Sequence, residues 1–255
     1  MPSLSLIVIT KNEEAAIARC LGSVAFADEI IVVDSGSTDR TVEIARGLGA
    51  RVTVTPDWPG FGTQKNRALD LARSDWVLSL DADEWIDPQF IAGIRRAIAD
   101  PAAPDAYRTS RRSRFCGRVV NHCGWSPDYV VRLFRRGRGR FSDDLVHERL
   151  VVDGAVGKID VLIDHDSIES WADAEDKIER YSIAAAQQIA ARGRKSSALR
   201  ALLHGWGAFF KTLVFRAGFL DGATGWQVAR YNRLYTEAKW RRASELQRAI
   251  AERRR

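Results

Sequence analysis

"EIIVVDSGSTDRTVEIARGLGARVTVT", residues 29 to 55, decides the fold. Its first six residues form an apolar run of strand length, "DRTVEIARGLG" has helical spacing closed by Gly49, and "RVTVT" is extended again. Strands without polar interruption are buried on both faces, and strand, helix, strand in succession is the βαβ unit of a parallel sheet. The alternation continues in both directions. Upstream stand "LSLIVIT" and the helix-like "EEAAIARCLGSV", and downstream "QKNRALDLARS" and "WVLSL". The expected fold is α/β, a Rossmann-like, mostly parallel sheet flanked by helices, with a C-terminal helical extension.

In such sheets ligands bind beyond the carboxyl ends of the strands. That rule puts Thr10, Asn12 and Glu13, then Asp34 to Asp39, then Asp81 to Glu84 on one rim. The third segment, "WVLSLDADEW", runs an apolar strand into three acids, Asp81, Asp83 and Glu84. Two readings stand side by side: carboxylates that end a strand by bonding turn amides, and oxygen ligands for a hard divalent cation such as Mg²⁺ or Mn²⁺. Thr38 and Asp39 have the chemistry of helix caps, whereas Asp34 ends its strand before the cap. No Gly-x-Gly-x-x-Gly follows the first strand and there is no Walker lysine motif, which excludes dinucleotide and P-loop chemistry. A nucleotide held by carboxylates and a metal remains.

"LIVITKNEEAAIARCLGSV", "EIIVVDSGSTDRTVEIA", "GFGTQKNRAL" and "WVLSLDADEW" resemble the successive motifs of glycosyltransferase family 2, whose members have the GT-A fold. "GWSPDYVVRLFRRG", "LVHERL" and "FLDGATGW" extend the resemblance, which is strongest to the lipopolysaccharide core β-glucosyltransferase subgroup. The resemblance implies an inverting transferase using a nucleotide sugar, usually UDP-linked, with a divalent metal. Carried over by position, Asp34 contacts the base, Asp81 the ribose or a metal-bound water, and Asp83 the metal that bridges the diphosphate. The general base is expected among Asp143, Asp144 and Glu148, with Glu148 preferred because "VHE" recurs in the subgroup. His147 is either a third metal ligand or a hydrogen-bonded structural histidine. Lys65 and Arg67 either approach the nucleotide or are solvated helix charges. The loop "TPDWPGFGTQ" is either a lid or a segment packed through Trp58 and Phe61. Without a Gln-x-x-Arg-Trp motif, a processive synthase is not expected.

The division that follows is residues 1–166 as the transferase domain, with 1–100 binding the donor and 101–166 the acceptor, and 167–255 as a basic helical region. From Ser167 onward there are 17 Lys+Arg against 9 Asp+Glu, so this region holds the positive charge of the chain. Ten arginines between Tyr107 and Arg140, with only Asp105 and Asp128 nearby, suit an anionic acceptor, bidentate phosphate recognition being an arginine property; Trp125 could offer a face to a sugar. In "LRALLHGWGAFFKTLVFRAGFL" apolar residues recur at three and four, while Lys211 and Arg216 break any span of about 20 uncharged residues. The segment reads either as an amphipathic helix in an anionic membrane surface or as a helix packed on the sheet domain. "LDGATGW" reads as a turn between helices.

The chain begins "MPSLSLIVIT", which enters a strand at once and leaves no room for a signal peptide. Cys20, Cys116 and Cys123 are expected as thiols in a reducing cytoplasm, and the enzyme as peripheral on the inner membrane. Two other classes compete. A nucleotidyltransferase normally has a Gly-rich basic first loop, which "TKNEEAA" lacks, and a nucleic-acid binder would leave the acidic rim without purpose; no nucleic-acid partner is expected.

Overall fold

The computed structural model describes residues 1–142 and 148–253. Two compact units divide the chain, one of residues 1–111 and 128–165, the other of 112–127 and 166–255. The segment 112–127, which the sequence reading assigns to an acceptor half, therefore groups with the C-terminal helices.

The first unit opens with β1 (Leu4–Thr10), α1 (Ile17–Ser23), β2 (Glu29–Asp34), α2 (Thr41–Gly47), β3 (Arg51–Val54), α3 (Phe61–Asp70) and β4 (Trp76–Asp81). A two-residue β5 (Glu84–Trp85), α4 (Pro88–Ala99) and β6 (Ala106–Phe115) follow. After the short β7 (Arg118–Val119) come β8 (Asp128–Arg135), β9 (Gly139–Phe141), β10 (Leu150–Val152) and β11 (Val156–Ile168). The sheet order is β3-β2-β1-β4-β8-β6-β11-β5, with β7 on β6 and β9–β10 forming a separate pair. β1 to β4 run parallel, and β8 joins β4 antiparallel.

Registry explains why one rim collects the polar strand ends. Thr10 lies opposite Asp34 and Ile9 opposite Asp81, so the carboxyl ends of β1, β2 and β4 finish level. The sheet is buried on both faces: Leu6, Val8, Leu78 and Leu80 meet Phe90 and Ile94 on one side, and Ile7, Ile31, Val33 and Val77 form the other. Each such side chain contributes about 1.5–3 kcal/mol of transfer free energy. β3 departs from the expectation of burial, with three of its four residues exposed, because it is the edge strand. Beyond β4 the antiparallel β5–β11 pairing sets His165 opposite Glu84, which brings two segments 81 positions apart in the chain to the same rim.

The second unit adds α5 (Trp171–Ala191), α6 (Ala198–Phe210) and α7 (Gly222–Arg253), and the ends of β6 and β11 pack on α5 and α7 through Phe115, Ile168, Ala174 and Val228. Phe115 is fully buried among Trp125, Trp171 and Tyr231, with ring centroids about 6 Å apart. Between α6 and α7 the chain makes a wide π-type turn over Lys211–Phe215 and a 3₁₀ turn over Gly218–Asp221. Among the described residues no helix is long and apolar enough to cross a membrane.

Candidate active site on the strand-end rim

The first two strand ends are tied to each other. Asp34 is fully buried, and its Oδ1 accepts from the Gly36 and Ser37 amides at 3.0 and 2.8 Å. Its Oδ2 accepts from Thr10 Oγ1 at 3.0 Å and from the Ser37 hydroxyl. Asn12, in the left-handed region at φ 57°, accepts from the Thr38 amide through Oδ1, while its own amide donates to Ser37 Oγ. The Glu13 amide donates to Thr41 Oγ1 at 2.7 Å. Thr10, Asn12, Glu13 and Asp34 thus brace the β1 and β2 loops together, and Asp34 presents no surface of its own. Asp39 accepts from the Thr41 amide at 3.0 Å, a local turn bond, while the helix start at Arg40 carries no side-chain cap.

At the third strand end the acids are matched by cations from the same unit. Lys65, 3% exposed, lies on α3 with Gln64 and Asn66, all three buried. Asn66 clamps Phe141 through both its amide atoms, at 2.9 and 3.0 Å, which fixes β9 against α3. Lys65 Nζ then reaches Asp81 Oδ1 at 2.8 Å and Glu148 Oε1 at 2.7 Å. Arg132 Nη2 spans the other oxygen of Asp81, at 2.5 Å, and Glu84 Oε1, at 2.6 Å. Glu84 also accepts from the Asp81 amide, and Arg111 Nη1 lies 3.4 Å from it while its Nη2 pairs with Asp128 at 2.6 Å. Burial opposes the charge on Asp81, but the Arg132 and Lys65 cations outweigh it and hold the carboxyl well below the usual carboxylate range.

Asp83 stands apart from this chain of charges. Its Oδ2 is 3.3 Å from His165 Nε2 on β11. Burial works against the imidazolium, and the hydrogen bond and charge of Asp83 overcome it, so the His165 pKa is raised. Two donors sharing one Mg²⁺ or Mn²⁺ at about 2.0–2.1 Å each lie roughly 3 Å apart, and such ions keep water or phosphate oxygens in their remaining positions. A carboxylate and an imidazole 3.3 Å apart have that spacing, and a bound cation would displace the imidazole's proton to take both as ligands. Among the described residues no three His, Cys, Asp or Glu side chains converge as a metal cage. Beneath the acids, Cys20 is buried, and burial together with the charges of Glu84, Asp83 and Asp81 pushes its thiol pKa well up, which suits a packed thiol.

The structure thus brings Lys65, Asp81, Asp83 and Glu148 to one rim, while Asp143, Asp144 and His147 lie outside the described residues. Arg67 pairs with Asp57 at 2.7 Å on the surface, and Trp58 meets Phe61 edge-on at 4.8 Å. Of the ten arginines, Arg111, Arg132, Arg138 and Arg140 are paired with carboxylates of this unit. Sequence reasoning missed His165 and the roles of Glu84 and Arg132. The available signal was "IDHDS", a histidine between two acids inside a strand-like run.

The rim carries carboxylates where a P-loop enzyme would place glycines, which suits a nucleotide held through a metal rather than by a glycine-rich loop. Residues 5–156 match the family described as glycosyl transferase family 2. The chain belongs to that family: it is a glycosyltransferase that takes sugar from a nucleotide-sugar donor, and its sheet is of the GT-A type. An uncharacterized glycosyltransferase of Rickettsia typhi is 33% identical over 245 residues, 88% of this chain and 81% of its own. The lipopolysaccharide core biosynthesis glycosyltransferase LpsC of Rhizobium meliloti is 34% identical over 165 residues, 60% of this chain and 59% of its own. Among solved structures, glucosyl-3-phosphoglycerate synthase from Mycobacterium tuberculosis in complex with Mn²⁺, UDP and glucosyl-3-phosphoglycerate is 28% identical over 44% of each chain, with a TM-score of 0.38.

Proposed function

We propose that the protein is an inverting hexosyltransferase that moves one sugar from a UDP-hexose to an anionic glycolipid, such as the inner core of lipopolysaccharide, at the cytoplasmic face of the inner membrane. The observation that carries the reading is Lys65, held at 2.7–2.8 Å between Asp81 on the donor rim and Glu148. That single cation ties the carboxylate best placed to take a proton to the strand end where a diphosphate would lie. The likeness to LpsC over 60% of the chain supports the acceptor class.

In this reading Asp83 and His165 hold a Mg²⁺ or Mn²⁺ ion, which when bound offsets the charge that builds on the departing diphosphate. Asp81, with both oxygens matched by cations, is a positioning group for the rim and for Lys65. Thr10, Asn12, Glu13 and Asp34 form the braced floor under the nucleotide. Glu148 takes the proton of the acceptor hydroxyl as that oxygen bonds to the anomeric carbon and the bond to the diphosphate breaks. Asp144, four positions earlier in the sequence, is the alternative base.

The test is a panel of nucleotide sugars assayed for Mn²⁺-dependent hydrolysis and for transfer to lipopolysaccharide acceptors. Glu148→Gln should lower transfer by about 10²–10⁴-fold, the usual worth of general base catalysis, while leaving donor affinity within a few fold. Asp83→Ala should remove metal-dependent turnover from a folded protein. If Asp144→Asn rather than Glu148→Gln carries the loss, the base assignment moves; if no nucleotide sugar turns over with metal, the reading fails.

A further inference from the structure

α6 has two apolar faces, and only one is used. Ala201, Gly205 and Phe209 are buried against α7. Leu199, Leu203, Trp206, Phe210 and Val214 recur at intervals of three and four on the other side, each 40% exposed or more. The π-type turn and the 3₁₀ turn continue this strip with Phe215, 84% exposed, and Phe219. Four aromatic rings of about 150–250 Å² each, between 40 and 84% exposed, by themselves match the largest apolar patch of an ordinary monomer, before Leu199, Leu203 and Val214 are added.

The charge around the strip has one sign. Residues 192–233 contain eight Lys+Arg and a single acid, Asp221. That acid is internal, its side chain 4% exposed and accepting from the His122 amide at 2.8 Å, with its other oxygen 2.9 Å from His122 Nδ1. At the start of α6 lies a pocket of about 460 Å³ lined by Arg194, Lys195, Arg200, Leu203, His204 and Trp240. His204 stacks on Trp240 at 4.2 Å and Arg194 lies 5.6 Å from the same ring. Arg200 Nη1 donates to the Lys195 carbonyl at 2.8 Å. Among the described residues no carboxylate pairs with Arg194, Lys195 or Arg200. Leu203 belongs both to the pocket and to the strip, so the cationic cavity and the apolar face adjoin.

We infer that this face docks on an anionic phospholipid bilayer, with the α6 strip in the acyl boundary and one lipid phosphate in the Arg194–Lys195–Arg200 pocket. A strip without basic residues would suit a second copy of the chain, and a pocket without the strip would suit free phosphate; their junction at Leu203 selects a molecule that is phosphate at one end and hydrocarbon at the other. The inference goes beyond the transferase reading and stands without it, because binding is read with no sugar donor present.

The experiment is flotation of the full-length protein with vesicles of phosphatidylcholine alone and of phosphatidylcholine with phosphatidylglycerol. Wild type should float with the anionic vesicles. Trp206→Ser/Phe210→Ser/Phe215→Ser should lose that binding at least tenfold. Arg194→Ala/Arg200→Ala should weaken it roughly 30-fold, about fivefold for each basic residue at an anionic surface, with little change on phosphatidylcholine. Both variants should keep the wild-type circular dichroism and donor hydrolysis, which separates loss of docking from loss of the transferase. Equal binding to both vesicles with the arginine variant unaffected would overturn the headgroup pocket. A wild-type dimer that fails to float and that the aromatic variant turns into monomer would assign the face to a second copy instead. Protection of the pocket by inorganic phosphate, without flotation, would make it a soluble-anion site and sink the proposal.

Discussion

At Lys65 three requirements meet: a buried position on α3, two carboxylates to neutralise, and a fixed distance between the rim and Glu148. An ion pair taken out of water gains little net stability, but removing one partner leaves an uncompensated charge behind. Lys65→Met keeps the length of the side chain and removes the cation, so the half-buried Asp81 and Glu148 would face each other with only Arg132, on Asp81, to balance them. Urea titration should show a loss of about 3–5 kcal/mol, partly restored by adding Glu148→Gln; a loss below 1 kcal/mol would mean that water, not Lys65, solvates the pair. Asp81 also sets an acid limb. Its folded pKa is depressed, so its contribution is fully present above the unfolded value near 3.9 and is lost as the pH falls through the lower folded value. Urea midpoints measured from pH 7 down to pH 2 should therefore fall more steeply below about pH 4 in wild type than in Asp81→Asn, whose curve lacks that component.

At the scale of elements, β1 to β4 and α1 to α3 were legible because their apolar runs and helical spacings are local. The antiparallel half was not, since β6 reads "AYRTSRRSRF" with arginines on both faces, Arg111 and Arg112 being adjacent, and nothing within it marks a strand paired to β8 and β11. His165 was invisible for the same reason: its meeting with Asp83 depends on the β5–β11 pairing, a contact made 81 positions away. The "LDGATGW" segment was legible as a turn between helices, although only its start, Leu220 and Asp221, lies in the turn. That 3₁₀ turn feeds directly into α7, and from Trp226 to Arg253 the sequence holds no glycine or proline to stop the helix. The glycines are there for contact. A Cβ on Gly225 would overlap the Gly218 carbonyl oxygen, and one on Gly218 would sit 2.7 Å from the Thr212 carbonyl oxygen. Overpacking of this kind typically costs about 1–3 kcal/mol, so Gly225→Ala should lower the melting temperature measured by circular dichroism, whereas Gly207→Ala, with open space around it, should not.

Across the whole molecule the two units differ in charge: the first holds 19 Lys+Arg against 23 Asp+Glu, the second 20 against 10. The contrast was legible in composition alone, but its use was not, because only the structure shows that Arg111 and Arg132 are consumed by internal carboxylates while Arg194, Lys195 and Arg200 have none. The two sets respond differently to salt. Buried pairs such as Lys65 with Asp81 are screened weakly, whereas exposed charges facing a surface lose their reach as the Debye length shrinks from about 10 Å at 0.1 M to about 3 Å at 1 M. If the second unit presents its basic face to lipid and the first performs the transfer, salt should separate the two activities. Raising sodium chloride over that range should lower transfer to a glycolipid acceptor embedded in anionic vesicles several-fold, and should leave hydrolysis of the soluble nucleotide sugar nearly constant. Measured side by side in one preparation, a parallel decline of both rates would place the salt sensitivity in the donor rim and remove the basic face from the reaction.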